Sequence, residues 1–354
     1  MKTLYWSLLL SLTIAFPGIA YETRYGSVSV QATWGALYDS NLLKYASGDR
    51  DRYLNETESH RSPIRALDDL RTDYKLSAEL RNKFFNKRTT SLRLTTNFAH
   101  HAMNPIKNLG WLSFTVRQDI TKELTGSFNY FFEPRFYIRD YIDSHTGIHR
   151  HCEFGLNQAK ADITYRIKGI SDVTGSVKYK DYNYNEYFTE YDGNTLGLGF
   201  GVVVRPGKWR ISAGYSFEQF ENTGFSSSDL VPENSGLTDS EFGQGDFDED
   251  LFTGTVRYSF IALRHESSLQ YGIERNKRAF TTKRDHLIDA MHSGREDLLV
   301  EQTISLSSTL TRQLGFELGL SSQTRDSEAT DIKVSPLKDF KRSTIWIEFT
   351  YELK

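Results

Sequence analysis

Cys152 is the only cysteine in this sequence, so no internal disulfide can brace the fold. Long apolar runs are missing too. Beyond residues 4–16 no window holds even fifteen consecutive apolar residues, and the mean hydropathy of −0.52 excludes membrane-spanning helices. Charge of one sign is absent: 43 Lys and Arg against 46 Asp and Glu leave −3, with no basic run. That balance excludes the electrostatic footprint of a nucleic-acid binder. Methionine is scarce at three residues, whereas aromatics are abundant at 14%.

The first twenty residues are of another kind. Lys2 precedes the apolar stretch 4–16, and Pro17, Gly18 and Ala20 follow it. This is the n-region, h-region and small-residue cleavage pattern of a secretory signal peptide, with cleavage expected after Ala20. The apolar stretch is too short to span a bilayer, and no cysteine stands near the site for lipid attachment. Loss of Lys2 would leave 42 − 46 = −4 on residues 21–354. An exported chain of this length without disulfides needs a large core or a closed sheet. Polar on average yet rich in aromatics, it has the profile of a transmembrane β-barrel, polar inside and apolar outside.

Period-2 alternation runs through residues 21–354. Between Asp69 and Phe84 the odd positions are Asp69, Arg71, Asp73, Lys75, Ser77, Glu79, Arg81 and Lys83. The even ones include Leu70, Tyr74, Leu76, Ala78, Leu80 and Phe84. The stretch DYKLSAELRNKFF is built from helix-favouring residues, but its period is that of a strand. In STIWIEFTYELK, Ile345, Ile347, Phe349 and Tyr351 oppose Trp346, Glu348, Thr350 and Glu352. Phe128, Tyr130, Phe132 and Phe136 oppose Ser127, Asn129, Glu133 and Arg135, and similar segments recur to the C-terminus.

Connections of two lengths alternate between these segments. Short turns are expected at 86–88, 121–123, 169–172, 205–208, 262–264 and 311–313. Long loops are expected at 39–68, 101–108, 140–152, 183–192, 221–250, 278–296 and 326–342. Six turns and seven loops join fourteen strands. The expected fold is all-β: a single transmembrane antiparallel up-and-down β-barrel of about 14 strands over residues 21–354, with short periplasmic turns and long extracellular loops. A sandwich has no reason to sort its loops in this way.

In that layout the chain resembles the Gram-negative outer-membrane β-barrel superfamily, and in size the fourteen-stranded monomeric porins. The resemblance covers residues 25–354 and is one of pattern, not motif. It implies an outer-membrane location, contact with outer-membrane lipids and lipopolysaccharide, and insertion by the barrel-assembly machinery. Many members end on an aromatic residue, and the final Tyr351-Glu352-Leu353-Lys354 fits that signal only with one extra residue.

With the apolar set outward, the polar set faces the lumen. The pore-lining candidates are Arg71, Lys75, Glu79, Arg81, Lys83, Arg93, Arg117, Arg135, Asp162, Arg166, Arg210, Glu218, Arg257, Glu301 and Glu348. They imply a porin-like channel for passive or weakly selective diffusion of small hydrophilic solutes. Two alternatives stay open: a non-channel outer-membrane scaffold with a plugged lumen, and an outer-membrane lipid-modifying enzyme. For the enzyme no spaced Ser-His-acid motif is recognisable. His145, His149, His151 and Cys152 are ligand types suited to zinc, and the acidic run Glu233 to Asp250 is of a type suited to calcium. His145-x3-His149 resembles the spacing of a ligand pair on a helical turn, but the stretch contains Gly147 and lies between strands; the acidic run does not match the twelve-residue calcium-loop spacing, and no cofactor is implied. Tyr137, Tyr141, Tyr182, Tyr184, Tyr187 and Tyr191 read as an outer aromatic girdle or as sugar-stacking platforms.

Overall fold

A computed structural model describes residues 22–23, 26–55, 63–85, 87–143, 146–167, 171–225 and 243–353. The expected signal segment, 1–20, lies outside them. The strands are β1 (Glu22–Thr23), β2 (Gly26–Asp39), β3 (Asp69–Phe85), β4 (Arg88–His101), β5 (Leu109–Asp119), β6 (Leu124–Ile142), β7 (His149–Ile167) and β8 (Ser171–Tyr184). They continue with β9 (Gly193–Val204), β10 (Trp209–Asn222), β11 (Phe247–Ala262), β12 (His265–Phe280), β13 (Glu296–Thr309), β14 (Leu314–Glu328) and β15 (Phe340–Leu353). From β2 onward each strand pairs antiparallel with the next, and β15 returns to pair with β2. The ring of fourteen strands, β2 to β15, is therefore closed; β1 adds a two-residue pairing against the start of β2.

The register assigns every side chain to one of two faces. Leu76 pairs with Ala32 and Thr96, while Glu79 pairs with Ser29 and Arg93. DYKLSAELRNKFF is thus strand, and its alternation outweighs its helix propensity. One face of the ring carries large exposed apolar side chains, among them Leu70, Tyr74, Leu94, Phe114, Ile163, Leu198, Phe200, Ile211, Tyr271 and Ile345. The other carries the charges and lines the recesses along the wall, including a cavity of ≈ 440 Å³ bordered by Glu79, Arg81, Arg93 and Arg117. The first is the convex outer face and the second the concave inner one.

The structure departs from simple alternation in β6. The β6–β7 pairing shifts register between Glu133 and Phe136, around Pro134, and again between Tyr137 and Arg139. A bulge of this kind adds a residue and reverses which side chains point inward. Phe136 consequently pairs with Phe154 on the inner face, although its spacing from Phe132 predicts the outer one.

The two-residue turn between β11 and β12 is strained. Leu263 and Arg264 both adopt left-handed backbone, with φ of 51° and 68°, and Leu263 is 93% exposed. The twist of a tight hairpin demands these angles, which Asn and Gly take more readily. Leu263→Asn with Arg264→Gly should stabilise the barrel by about 1–2 kcal/mol. Urea unfolding from lipid vesicles checks this; an unchanged midpoint contradicts it.

Candidate functional site: the charged inner wall and its mouth

Arg71, Lys75, Glu79 and Arg81 of β3 share the inner register with Arg93 of β4 and Arg117 of β5. Asp162 and Arg166 of β7, Arg210 and Glu218 of β10, Arg257 of β11, Glu301 of β13 and Glu348 of β15 continue that face round the ring. Lys83 is exposed and falls in the irregular segment between Asn82 and Phe85, beyond the regular pairing. Arg135 is a correction. The bulge turns it to the outer face, where its Nε donates to Glu153 at 2.5 Å, and Glu153 shares the outer register of Ala159 and Ala161.

The inner charges form local clusters. Glu79 accepts from Arg81 Nε at 2.5 Å and from Arg93. Glu218, 2% exposed, takes Lys180 at 2.7 Å and also pairs with Lys178. Inward glycines on β9 leave room for this triad: a Cβ on Gly197 would meet Glu218 Cγ at 3.0 Å. Arg278 pairs with Glu249 at 2.7 Å, and Lys160 with Asp162 at 2.8 Å.

Several like charges nevertheless stand directly opposite each other across adjacent strands. Lys160 faces Lys178, Arg210 faces Arg257, Glu274 faces Glu301, and Glu317 faces Glu348. Such pairs repel, and in a dry interior their cost would be prohibitive. On β12 to β15 the inner face carries Glu274, Glu301, Glu317 and Glu348, with Arg278, Arg325 and Arg342 among them. Counting seven strands round the ring from these reaches β5 to β8, where Arg117, Lys160, Lys178 and Lys180 stand. An excess of acidic side chains thus faces an excess of basic ones across the lumen.

A loop narrows one mouth. From the β2 end, Asn41 Nδ2 donates to Lys341 O of β15 at 2.9 Å, while Leu43 O accepts from Arg139 of β6 at 2.9 Å. These anchors lie five strands apart, so the described residues of this loop, 40–55 and 63–68, run over the opening and not along its rim. The helix Ser47–Leu54, unforeseen in the sequence, lies in this loop, and Leu43, Tyr45, Ile64 and Leu67 pack on Tyr137. Asp69 accepts from the backbone of Met103 and Asn104, and Asn104 Oδ1 accepts from Arg65 N at 2.7 Å. Those bonds tie the loop to residues 102–108.

Two lysines sit at this junction. Burial, reinforced by Arg139, Lys44 and Arg342 against the attraction of Asp39, lowers Lys107 to about 7. Its Nζ donates to Tyr137 O at 2.6 Å and lies over the Phe136 and Tyr137 rings. Burial likewise lowers Lys44 to about 8, with Arg342 and Arg325 adding to the effect and Glu301 and Asp39 opposing it. Between those values and the ordinary lysine range, the undocked loop binds more protons than the docked one. Docking therefore strengthens as pH rises from 7 and is weakest below it. Hydrogen exchange within 40–55, corrected for intrinsic rates, should be faster at pH 6 than at pH 9, and Lys107→Met should flatten the difference. Equal rates in the native protein would contradict this.

The other candidates separate. His149, His151 and Cys152 lie on β7, not in a loop. His151 bonds Asp140 at 2.6 Å, while Cys152 is fully buried against Tyr141, Phe188 and Tyr191. His145, Glu233, Asp239 and Glu241 lie outside the described residues. Among those described, no group of three His, Cys, Asp or Glu converges as a metal site. The tyrosine girdle is also a correction: Tyr137, Tyr141 and Tyr191 are buried under loops, and Tyr182 and Tyr184 face inward against Phe154.

No family model and no curated protein matches the chain. It is similar to the solved outer-membrane channel DcaP of Acinetobacter baumannii, at 12% identity over 95% of this chain and 100% of that one, with a TM-score of 0.47. An anion-selective porin from Comamonas acidovorans is similar at 8% identity over 92% and 99%, with a TM-score of 0.43. For the outer-membrane protein OprD from Pseudomonas aeruginosa the values are 7%, 92% and 94%, and 0.41. The strand count and the closure stand on the chain's own pairing register.

Proposed function

We propose that this chain is an outer-membrane channel through which small hydrophilic solutes diffuse, steered by a transverse field between the acidic excess on one side and the basic excess on the other. The observation that carries the reading is the set of like-charge pairs on the inner face, which water in an open lumen would tolerate. The exposed apolar outer face is suited to lipid, and a closed ring leaves no unpaired strand edge in it. In this reading residues 1–20 direct export, the assembly machinery inserts the barrel, and the rim carrying 40–68 faces outward toward lipopolysaccharide.

A second reading has its own observation: the loop over the mouth would suit a plugged scaffold. Swelling of liposomes containing the folded protein separates the two. The channel reading predicts entry rates that fall as neutral solutes grow. Liposomes that exclude even the smallest solute would favour the scaffold.

A further inference from the structure

The two ends of the barrel carry opposite charge. The six short turns hold seven Lys and Arg against two Asp and Glu, whereas the seven long loops hold fifteen against twenty-seven. Of the two turn carboxylates, Asp172 is already taken: Arg205 reaches it at 2.6 Å and Arg166 at 3.4 Å. Glu123 alone is left to offset the other cations. These are Lys87 and Arg88 of the β3–β4 turn, Lys122 of β5–β6, Lys208 of β9–β10, Arg264 of β11–β12 and Arg312 of β13–β14. Among the described residues no carboxylate lies within ion-pair reach of any of the six. Five are exposed and Arg88 is half-buried. They stand on five of the six turns, so the positive charge circles the whole end of the barrel.

The apolar outer face runs down to the same turns. Ile120, Ile167, Trp209, Leu310 and Tyr351 continue the outer alternation of β5, β7, β10, β13 and β15 to that end, and all are exposed. Lipid covering this belt must bring its headgroups level with the cations. Lysine and arginine lay their apolar stems along such a belt and hold their charge at its edge. A phosphodiester accepts from both, and from guanidinium through two oxygens at once. A zwitterionic headgroup answers its phosphate with its own ammonium, so a headgroup of net negative charge gains most. The cations form a belt and not a groove. That shape suits many small mobile headgroups better than one site on a rigid polymer. The acidic loop end offers no such match.

We infer that the turn end is a docking collar for anionic phospholipids of the leaflet it stands in. The inference rests on the membrane part of the channel reading and not on conduction. Spin-labelled phosphatidylglycerol and phosphatidylcholine, each in vesicles holding the folded barrel, report the fraction of lipid held against the protein. The native barrel should favour phosphatidylglycerol about threefold in low salt, and about 0.5 M salt should remove most of that preference. Lys87→Gln, Arg88→Gln, Lys208→Gln, Arg264→Gln and Arg312→Gln together should bring the ratio to about one. Lys87→Gln with Arg88→Gln alone should lower it part-way, which keeps the test open if the fivefold variant fails to fold. Lys283→Gln with Lys333→Gln, both exposed on the loop side, should leave it unchanged. Equal association of the two lipids with the inserted native barrel would overturn the collar and spare the channel. So would a preference that survives the turn substitutions. Retention of the folded barrel on insoluble cell-wall sacculi, with no lipid preference, would overturn it in favour of that polymer. A barrel that stays out of the vesicles would overturn collar and channel together.

Discussion

Leu198→Arg should sharply reduce the fraction of protein that folds into lipid vesicles. Leu198 stands on the outer face of β9 and is 59% exposed. Were that face in water, replacing an exposed leucine by arginine would change stability by no more than about 0.5 kcal/mol. In lipid the same change costs about 2–4 kcal/mol near the bilayer middle, because a guanidinium must reach for the headgroups or drag water inward. Leu76→Arg, on the outer face of β3, should behave alike, whereas Glu79→Gln should insert normally and alter only the lumen. The heat-modifiable mobility of the folded barrel on gels reads the outcome. Native-like folding of Leu198→Arg would place the outer face in water and end the membrane reading.

Glu218→Gln should make the lumen markedly more anion-selective. One carboxylate here serves two ammonium groups, Lys178 and Lys180, and Lys160 lies opposite Lys178 on the next strand. Removing its charge leaves the two lysines unbalanced on the basic side, where water screens them only in part. The reversal potential across a tenfold salt gradient should move toward the anion limit of about 59 mV. The shift should shrink at high ionic strength. Loss of a buried charge partner also destabilises, by about 3–5 kcal/mol in a dry site and by less beside a wet lumen. An unchanged reversal potential in a folded variant would show that the triad does not face the ion path.

The sequence revealed the barrel through period rather than propensity. DYKLSAELRNKFF has a helical composition, yet its strict alternation sorted Arg71, Lys75, Glu79 and Arg81 onto one face, and the β2 and β4 registers show the same sorting. The inner aromatic side chains were harder to read because their places depend on backbone events that leave faint marks. Pro134 hints at a break in β6, but a bulge and a straight strand read alike in a run such as FFEPRFYIRDYI, so Arg135 and Phe136 exchanged faces. Tyr182 and Phe220 belong to strands that are not neighbours, and only the missing Cβ of Gly193 lets them meet. The loop over the mouth was invisible for a related reason. Its anchors, Asn41 to Lys341 and Leu43 to Arg139, join residues far apart in sequence through backbone groups, which every residue carries.

Single-channel conductance of the purified, refolded protein in planar bilayers tests the central claim most directly. The account predicts discrete, voltage-stable current steps whose reversal potential shifts in Glu218→Gln. Protein that is folded and inserted yet gives no steps at any voltage or salt concentration would contradict it.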